Sequence, residues 1–571
     1  MQNQLLYQGT HTNLSLEEHE DLGKVVVKSL NDEFPTPQVI ENFLHEYELC
    51  KDLNLSGVRK ALAWEKKKQS HRIYMEYVDG ITLSEYILTN PSLKDVLVVF
   101  CSLSNVLSEL HQKSVIHNRL SPDNILLKTD TLTVMLIDLS ESTKYSLKSS
   151  HMGNPSKLDG DIHYMAPEQT GRMNRITDHR SDLYALGIML YEFLSGNLPF
   201  NYNDPLELVH AQIAIKPKPF LKSNPDCPEI LEAIVFKLLE KNADRRYQSA
   251  SGLNMDLEHC LVQLKKSKNI SPFELAQNDI FPRFQLSQKL YGRKQELKKL
   301  ISTFDKTAHG QTHLMLVSGY SGTGKSALVS EIYKPITSRK GYFIEGKFDQ
   351  YQRAIPYFAI IKAFESLIDI LLTETDIKLS RIKSDMMEVL GQEGKVLTDV
   401  MPTLELIIGM QPPVAEINSE DAQNRFNYVF QKWLSVLCTE KHPIVLFIDD
   451  LQWADSASLD LLKALMHKDD NHFFCIGAYR DNEVSSAHPF SITLEQLKEQ
   501  GIRIETIHVD NLSLHNLEEL LADSLLTSTD NVHGLAELTQ HKTRGNAFFV
   551  VQFLQSLAEK SLLNFNLQTR Q

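Results

Sequence analysis

At 571 residues the chain exceeds what one hydrophobic core organises, and length alone implies roughly three or four domains. The composition, 42% hydrophobic and 23% charged with a mean hydropathy of −0.25, is that of a soluble globular protein. A net charge of −14 argues against a nucleic-acid binder, so no nucleic-acid partner is expected. It leaves room for a nucleotide phosphate, which needs only a few N–H groups and one or two lysines.

The six cysteines are scattered without a C-x-x-C pair, which reads as reduced thiols rather than a disulfide frame or zinc site. The N-terminus lacks the basic and apolar regions of a cleaved leader. No apolar run approaches the roughly 18 residues that span a bilayer, so no transmembrane segment is expected. A cytoplasmic protein is the expectation. Delivery into a host cell is compatible with the same sequence, because a signal for that route need not resemble a cleaved leader.

In chain order, "GKVVVKSL" and "HRIYMEYV" read as strands. The basic run between them, "EKKKQSHR", reads as a solvated hairpin turn. "DVLVVFCSLSNVLSELHQ" and "SDLYALGIMLYEFLSG" place apolar residues at helical spacing. Strands followed by helices indicate an α+β domain over residues 1–265. The Lys-, Pro- and Gln-containing stretch over 266–288 reads as a linker. From there to 571 the pattern alternates helices with short buried strands, "HLMLVSG", "GYFIEGKF", "PIVLFIDD" and "HFFCIGAYR", which implies a parallel sheet with crossover helices.

"VIHNRLSPDNILL", Val115–Leu127, resembles a protein-kinase catalytic loop, which usually reads H-R-D-L-K-P-x-N-I-L. Further matches follow the kinase order, and the resemblance implies a role for each. Lys28, ending "VVVK", would hold the α- and β-phosphates, with Glu46 in "FLHEYELCKDL" as its partner. "EYVDG" resembles the hinge, where Glu76 and Val78 would read adenine through backbone groups. Asn124 and Asp138 would ligate metal. "MAPE" supplies the A-P-E element at Ala166–Glu168. Asp182 would tie down the catalytic loop, and Arg246 would be the buried partner of Glu168.

The departures fall at the reaction centre. Arg119 stands where the catalytic Asp belongs, Ser121 where the loop Lys belongs, and Asp161 where a docking-loop Thr belongs. The nucleotide-covering loop keeps only Gly9, which lowers the expected ATP affinity. Arg119 cannot act as a base, because its guanidinium stays protonated. Opposite charges at positions 119 and 161 suggest a salt bridge that braces the loops without chemistry.

"GYSGTGKS", Gly319–Ser326, fits G-x-x-x-x-G-K-[ST] between an apolar strand and a helical run, the context that the phosphate-binding loop requires. Gly319, Gly322 and Gly324 let N–H groups turn toward phosphates, Lys325 would reach the β- and γ-phosphates, and Ser326 would ligate Mg²⁺. At the end of "IVLFIDD", Asp449 suits the metal-water position and Asp450 could polarise the attacking water. The two acids could also simply cap the following helix. Arg480, ending "FFCIGAYR", could touch a γ-phosphate from the neighbouring strand, or simply be a surface arginine.

"YGRKQEL", this loop, "FIDDLQWADSASLDLL" and "GAYRDNEV" together resemble the signal-transduction ATPases of the STAND class. Their helical lid usually ends in G-N-P-F-F; here "GNAFF", Gly545–Phe549, has Ala547 for the Pro. Members typically act as slow nucleotide-gated switches and often assemble, so a homo-oligomer through this half is one implied partner.

The order of the two halves resembles bacterial hybrid signalling proteins with an N-terminal Ser/Thr kinase domain, a STAND ATPase, and commonly a GAF domain and histidine kinase. The last two are expected to be missing here, since the sequence stops soon after the lid motif. The fold expected is a bilobal kinase-like α+β domain followed by an α/β P-loop NTPase domain with a helical lid. ATP and Mg²⁺ are the expected cofactors, and a protein partner or substrate is expected for the first half. Three functional readings stand: a pseudokinase-like reader coupled to a switching ATPase, an active Ser/Thr kinase, and a scaffold whose nucleotide sites are structural.

Overall fold

The computed structural model describes residues 4–9, 12–31, 35–67, 70–144, 161–173, 175–222, 224–267, 270–279, 284, 286–350, 355–415, 417–466, 472–560 and 562–563. The first half opens with a five-stranded antiparallel sheet in the order Gln4–Gln8, Thr12–His19, Gly23–Leu30, Ser70–Glu76, Ala61–Lys67. Side chains alternate faces along a strand. Val25 and Val27 therefore join a small cluster with Tyr74, while Val26 enters the main core on the opposite face. Lys28 shares the Val26 side and points into the cleft.

The helix Pro37–Asp52 packs on that side. Thr36 caps it by accepting the Val39 N–H at 3.4 Å, and Pro37 suits the first turn. Its buried face runs through Phe43, Glu46, Leu49 and Cys50 at helical spacing, so a carboxylate sits inside an apolar stripe. Below the cleft, the helix Leu93–Gln112 buries eight apolar side chains from Val96 to Leu110. The helix Arg180–Ser195 is buried on all sides from Arg180 to Tyr191, the mark of a central helix. At Gly187 a Cβ would lie 2.6 Å from Leu238, so the missing side chain lets the helix Glu229–Leu238 approach closely there.

The helix Ala250–Ser267 extends past residue 265. The segment expected as a linker is no bare tether where it is described. Ile270 is buried in the first half's core, and the Asp279 carboxylate accepts from the Gln248 and Ser249 N–H groups.

The second half carries a five-stranded, wholly parallel sheet in the order Tyr342–Lys347, Ile444–Asp449, Phe473–Tyr479, His313–Ser318, Ile504–His508. Its first strand in sequence thus lies between its last two. That reversal opens a crevice at the carboxyl ends, where ligands of open α/β sheets bind. Four strands match the sequence expectation; the edge strand Ile504–His508 was not foreseen, because "IETIH" is only partly apolar and partly buried. Three helices, Leu514–Leu525, Thr529–Thr543 and Ala547–Glu559, form the lid around a core that includes Tyr291, Leu517, Leu521, Ala536 and Leu554. No helix among the described residues is long and apolar enough to cross a membrane.

Candidate nucleotide sites

In the first half, Lys28 Nζ lies 2.6 Å from Glu46 Oε2 and 2.8 Å from Asp138 Oδ1. Burial alone would lower the lysine pKa, but the two carboxylates outweigh it and hold it above its ordinary value. Burial raises the Glu46 pKa against the pull of Lys28, and the Leu139 N–H donates to its other oxygen at 3.2 Å. Asp138 adopts a left-handed backbone, φ 59°, which a short polar residue tolerates better than most. Leu139, which follows Asp138, is buried in the core. The elements that position Lys28, Glu46 and Asp138 are thus a strand, a helix and a strained turn meeting at one point.

Arg119 does not pair with Asp161. Its Nη1 lies 3.5 Å from Asp138 Oδ2. Asp161 instead caps its own 3-10 turn, accepting from the His163 N–H at 3.0 Å and meeting the His163 ring at 2.7 Å. A local partner two residues away costs less chain entropy to engage than one across the cleft, and it claims the carboxylate first. Asp138 thus receives two cations. Burial would raise its pKa, but Lys28 and then Arg119 hold it well below the usual carboxylate range. The Asn124 amide donates to the Arg119 carbonyl at 2.8 Å, which orients its carbonyl oxygen the other way.

The catalytic-loop backbone is firmly held. Asp182 accepts from the His117 and Asn118 N–H groups, each at 2.9 Å, and from His111 Nε2 at 2.9 Å. Glu168 and Arg246 form a two-bond fork at 2.6 and 2.7 Å, both side chains almost wholly buried. Glu76 ends its strand with its N–H on the Lys60 carbonyl, and Val78 beyond it is buried at the edge of the cleft.

In the second half, Ser326 Oγ donates to Asp449 Oδ2 at 3.0 Å, bringing the two expected metal-side residues together. Lys325 is folded onto its own loop, donating to the Gly319 and Tyr320 carbonyls at 2.9 Å each. Burial lowers its pKa, with Asp449 the chief opposing charge. Gly319, Gly322 and Gly324 all have positive φ. At Gly322 a Cβ would fall 2.7 Å from Asn546 Oδ1, so the loop is cut to fit the lid.

Asp450 is turned away from open solvent. Gln452 donates to its Oδ1 at 2.7 Å, Arg480 Nε lies 3.3 Å from the same atom, and Lys347 Nζ lies 3.5 Å from Oδ2. Arg480 also lies over the Trp453 ring at 4.8 Å and pairs with Glu483 at 2.8 Å. The two residues expected to serve hydrolysis separately are therefore held against each other.

The lid motif touches the phosphate loop directly. The Asn546 amide donates to the Ser321 carbonyl at 2.9 Å, and the Phe548 N–H to the Gly322 carbonyl at 2.9 Å. Sequence reasoning named the motif but not these contacts. It also passed over Lys347, Gln452 and Arg293. Arg293 donates to the carbonyls of Thr323 and Asp510, joining the phosphate loop to the entry of the lid. Its signal was its place in "YGRKQEL".

Residues 6–257 match the protein kinase domain family, and residues 289–476 match the AAA ATPase domain family. The chain carries an N-terminal protein kinase domain followed by an AAA-type ATPase domain. Hybrid signal transduction histidine kinase G of Dictyostelium discoideum is 32% identical over 491 residues, covering 71% of this chain and 14% of that protein. A probable serine/threonine-protein kinase of Clostridium perfringens is 31% identical over 250 residues, covering 43% of this chain and 35% of its own. Peroxide stress-activated histidine kinase mak3 of Schizosaccharomyces pombe is 21% identical over 573 residues, covering 84% of this chain and 24% of its own. The chain thus spans between 14% and 35% of the length of these relatives.

Proposed function

We propose that the kinase domain binds ATP without efficient phosphoryl transfer, and that the AAA-type domain is a slow, STAND-like switch that hydrolyses it. The observation that carries the first part is Arg119 on Asp138 at 3.5 Å. A cation beside the carboxylate that would hold metal competes for the same charge, and Arg119 cannot serve as the base. Lys28 with Glu46 remains set to grip phosphates, so the domain reads nucleotide, or a partner protein, rather than writes phosphate.

For the second domain the support is the oxygen pair Ser326–Asp449, a donor set that suits Mg²⁺, beside a lysine that would leave two loop carbonyls to reach phosphates. When bound, the metal would neutralise charge developing on the phosphates. Asp450 and Arg480 would have to part before either could act on water or a γ-phosphate. That requirement fits a gated switch rather than a rapid enzyme. The lid bonds at Ser321 and Gly322 would report loop occupancy to helices that, in an oligomer, could meet neighbours.

A second reading, an active Ser/Thr kinase, rests on the retained Asn124 and Asp138 and on how little covalent work phosphoryl transfer asks of a protein. ADP release from Mg-ATP separates the parts. Turnover well below one per second that Lys325→Ala abolishes and Lys28→Ala spares supports the proposal. Turnover lost in Lys28→Ala but kept in Lys325→Ala would reverse the assignment.

A further inference from the structure

A cavity of about 340 Å³ lies between the two domains, walled by Arg172 and His210 from the kinase side and by Lys340, Tyr342, Lys378 and Lys441 from the ATPase side. We propose that it binds a small organic anion bearing phosphate or carboxylate groups, with Arg172 as the anchor and Lys441 as a second contact. The size falls within the range of roughly 300–1,000 Å³ usual for small-molecule sites, which favour domain interfaces.

Lys340 is taken by Glu207 across the interface at 2.7 Å, and Lys378 by Asp204 across it and by Glu374 at 3.3 Å. Those bridges tie the walls together and neutralise two of the four cations. Arg172 and Lys441 take part in no ion pair among the described residues. Burial lowers the Arg172 pKa, opposed only through space by Tyr333, Tyr342 and Glu374. A half-buried guanidinium that no carboxylate pairs directly carries a desolvation cost, and a bound anion offsets it. Guanidinium suits phosphate or carboxylate because its fork offers two parallel N–H bonds. The Tyr342 ring, tilted against His442 with centroids 5.7 Å apart, gives an aromatic wall for the organic part.

The position gives such a ligand a consequence. The Arg172 N–H bonds the Thr170 hydroxyl at 3.3 Å, just past the A-P-E element that Glu168 and Arg246 fasten. Tyr342 opens the strand whose last residue, Lys347, pairs in register with Asp449. An anion held here would join the kinase docking segment to the edge strand that pairs with the one bearing Asp449.

The test uses the full chain carrying Lys28→Ala and Lys325→Ala, so that neither nucleotide site responds, titrated calorimetrically with inorganic pyrophosphate and, separately, citrate. We expect saturable 1:1 binding of one or both, weakened about tenfold or more by Arg172→Gln and partly restored by Arg172→Lys. Binding of pyrophosphate alone identifies phosphate chemistry, and binding of citrate alone identifies carboxylate chemistry. Lys441→Gln, on an exposed residue, should weaken binding too and carries the test if Arg172→Gln does not fold. No saturable binding of either probe, or binding that both Arg172→Gln and Lys441→Gln leave unchanged, overturns the proposal.

Discussion

Replacing Arg119 by Asp should make nucleotide binding in the kinase domain depend on magnesium. Two unit charges 3.5 Å apart attract by about 5 kcal/mol at an effective dielectric of about 20. The Arg119 side chain is 40% exposed, however, and solvent screening reduces such pairs to about 1 kcal/mol. Removing the cation frees that amount, and an added carboxylate beside Asp138 contributes a similar amount toward a divalent ion. The sum, about 1–2 kcal/mol, corresponds to roughly a tenfold change in equilibrium. The assay is titration of a fluorescent ATP analogue, in a Lys325→Ala background, with excess magnesium or with EDTA. Wild type should bind with similar affinity under both conditions, whereas Arg119→Asp should bind about tenfold tighter with magnesium. Equal magnesium dependence in the two proteins would show that Arg119 does not act on the metal position, and the reasoning would fail.

Arg246→Met leaves Glu168 buried without its partner and should cost the kinase domain about 3–5 kcal/mol, read as a lowered urea midpoint. Gly545→Ala drives a Cβ into the Leu512 carbonyl at a φ of 73°, so it should loosen the lid; the readout is faster exchange of the lid amides, with kinase-domain amides unchanged. Asn546→Ala removes one lid bond to the phosphate loop and should weaken docking by about 1 kcal/mol, seen as faster ADP dissociation. Burial pushes His179 down to about 4, so the folded state holds it neutral where the unfolded chain, near 6.5, takes up a proton. Its contribution is present above pH 6.5 and is lost as pH falls toward 4, by about 3 kcal/mol in all. Unfolding of wild type and His179→Gln at pH 7.5 and 5 checks this, with the flatter profile expected for the variant.

Both domains were legible because their motifs fix backbone as well as chemistry. Val25 to Val27 announce a strand buried on both sides, and the strand that carries them presents Lys28 to the helix bearing Glu46. The phosphate loop needs glycines at fixed steps, and the three that matter take positive φ. The partner of Arg119 was not legible. Charge at positions 119 and 161 says that a bridge is affordable, but not that His163 already occupies Asp161 or that Asp138 lies nearer. The mutual hold of Asp450 and Arg480 escaped for the same reason, since each residue was assigned a role from its own strand end. The edge strand Ile504–His508 lacks the apolar run that marked its four neighbours, and only pairing with His313–Ser318 defines it.

The most direct test of the account is intact-mass spectrometry after incubation with Mg-ATP, on wild type, Lys28→Ala and Lys325→Ala. The account predicts no added phosphate on any of the three, with ADP accumulating only where Lys325 is present. Phosphate on wild type that is missing from Lys28→Ala would contradict it, because the kinase domain would then transfer phosphate despite Arg119.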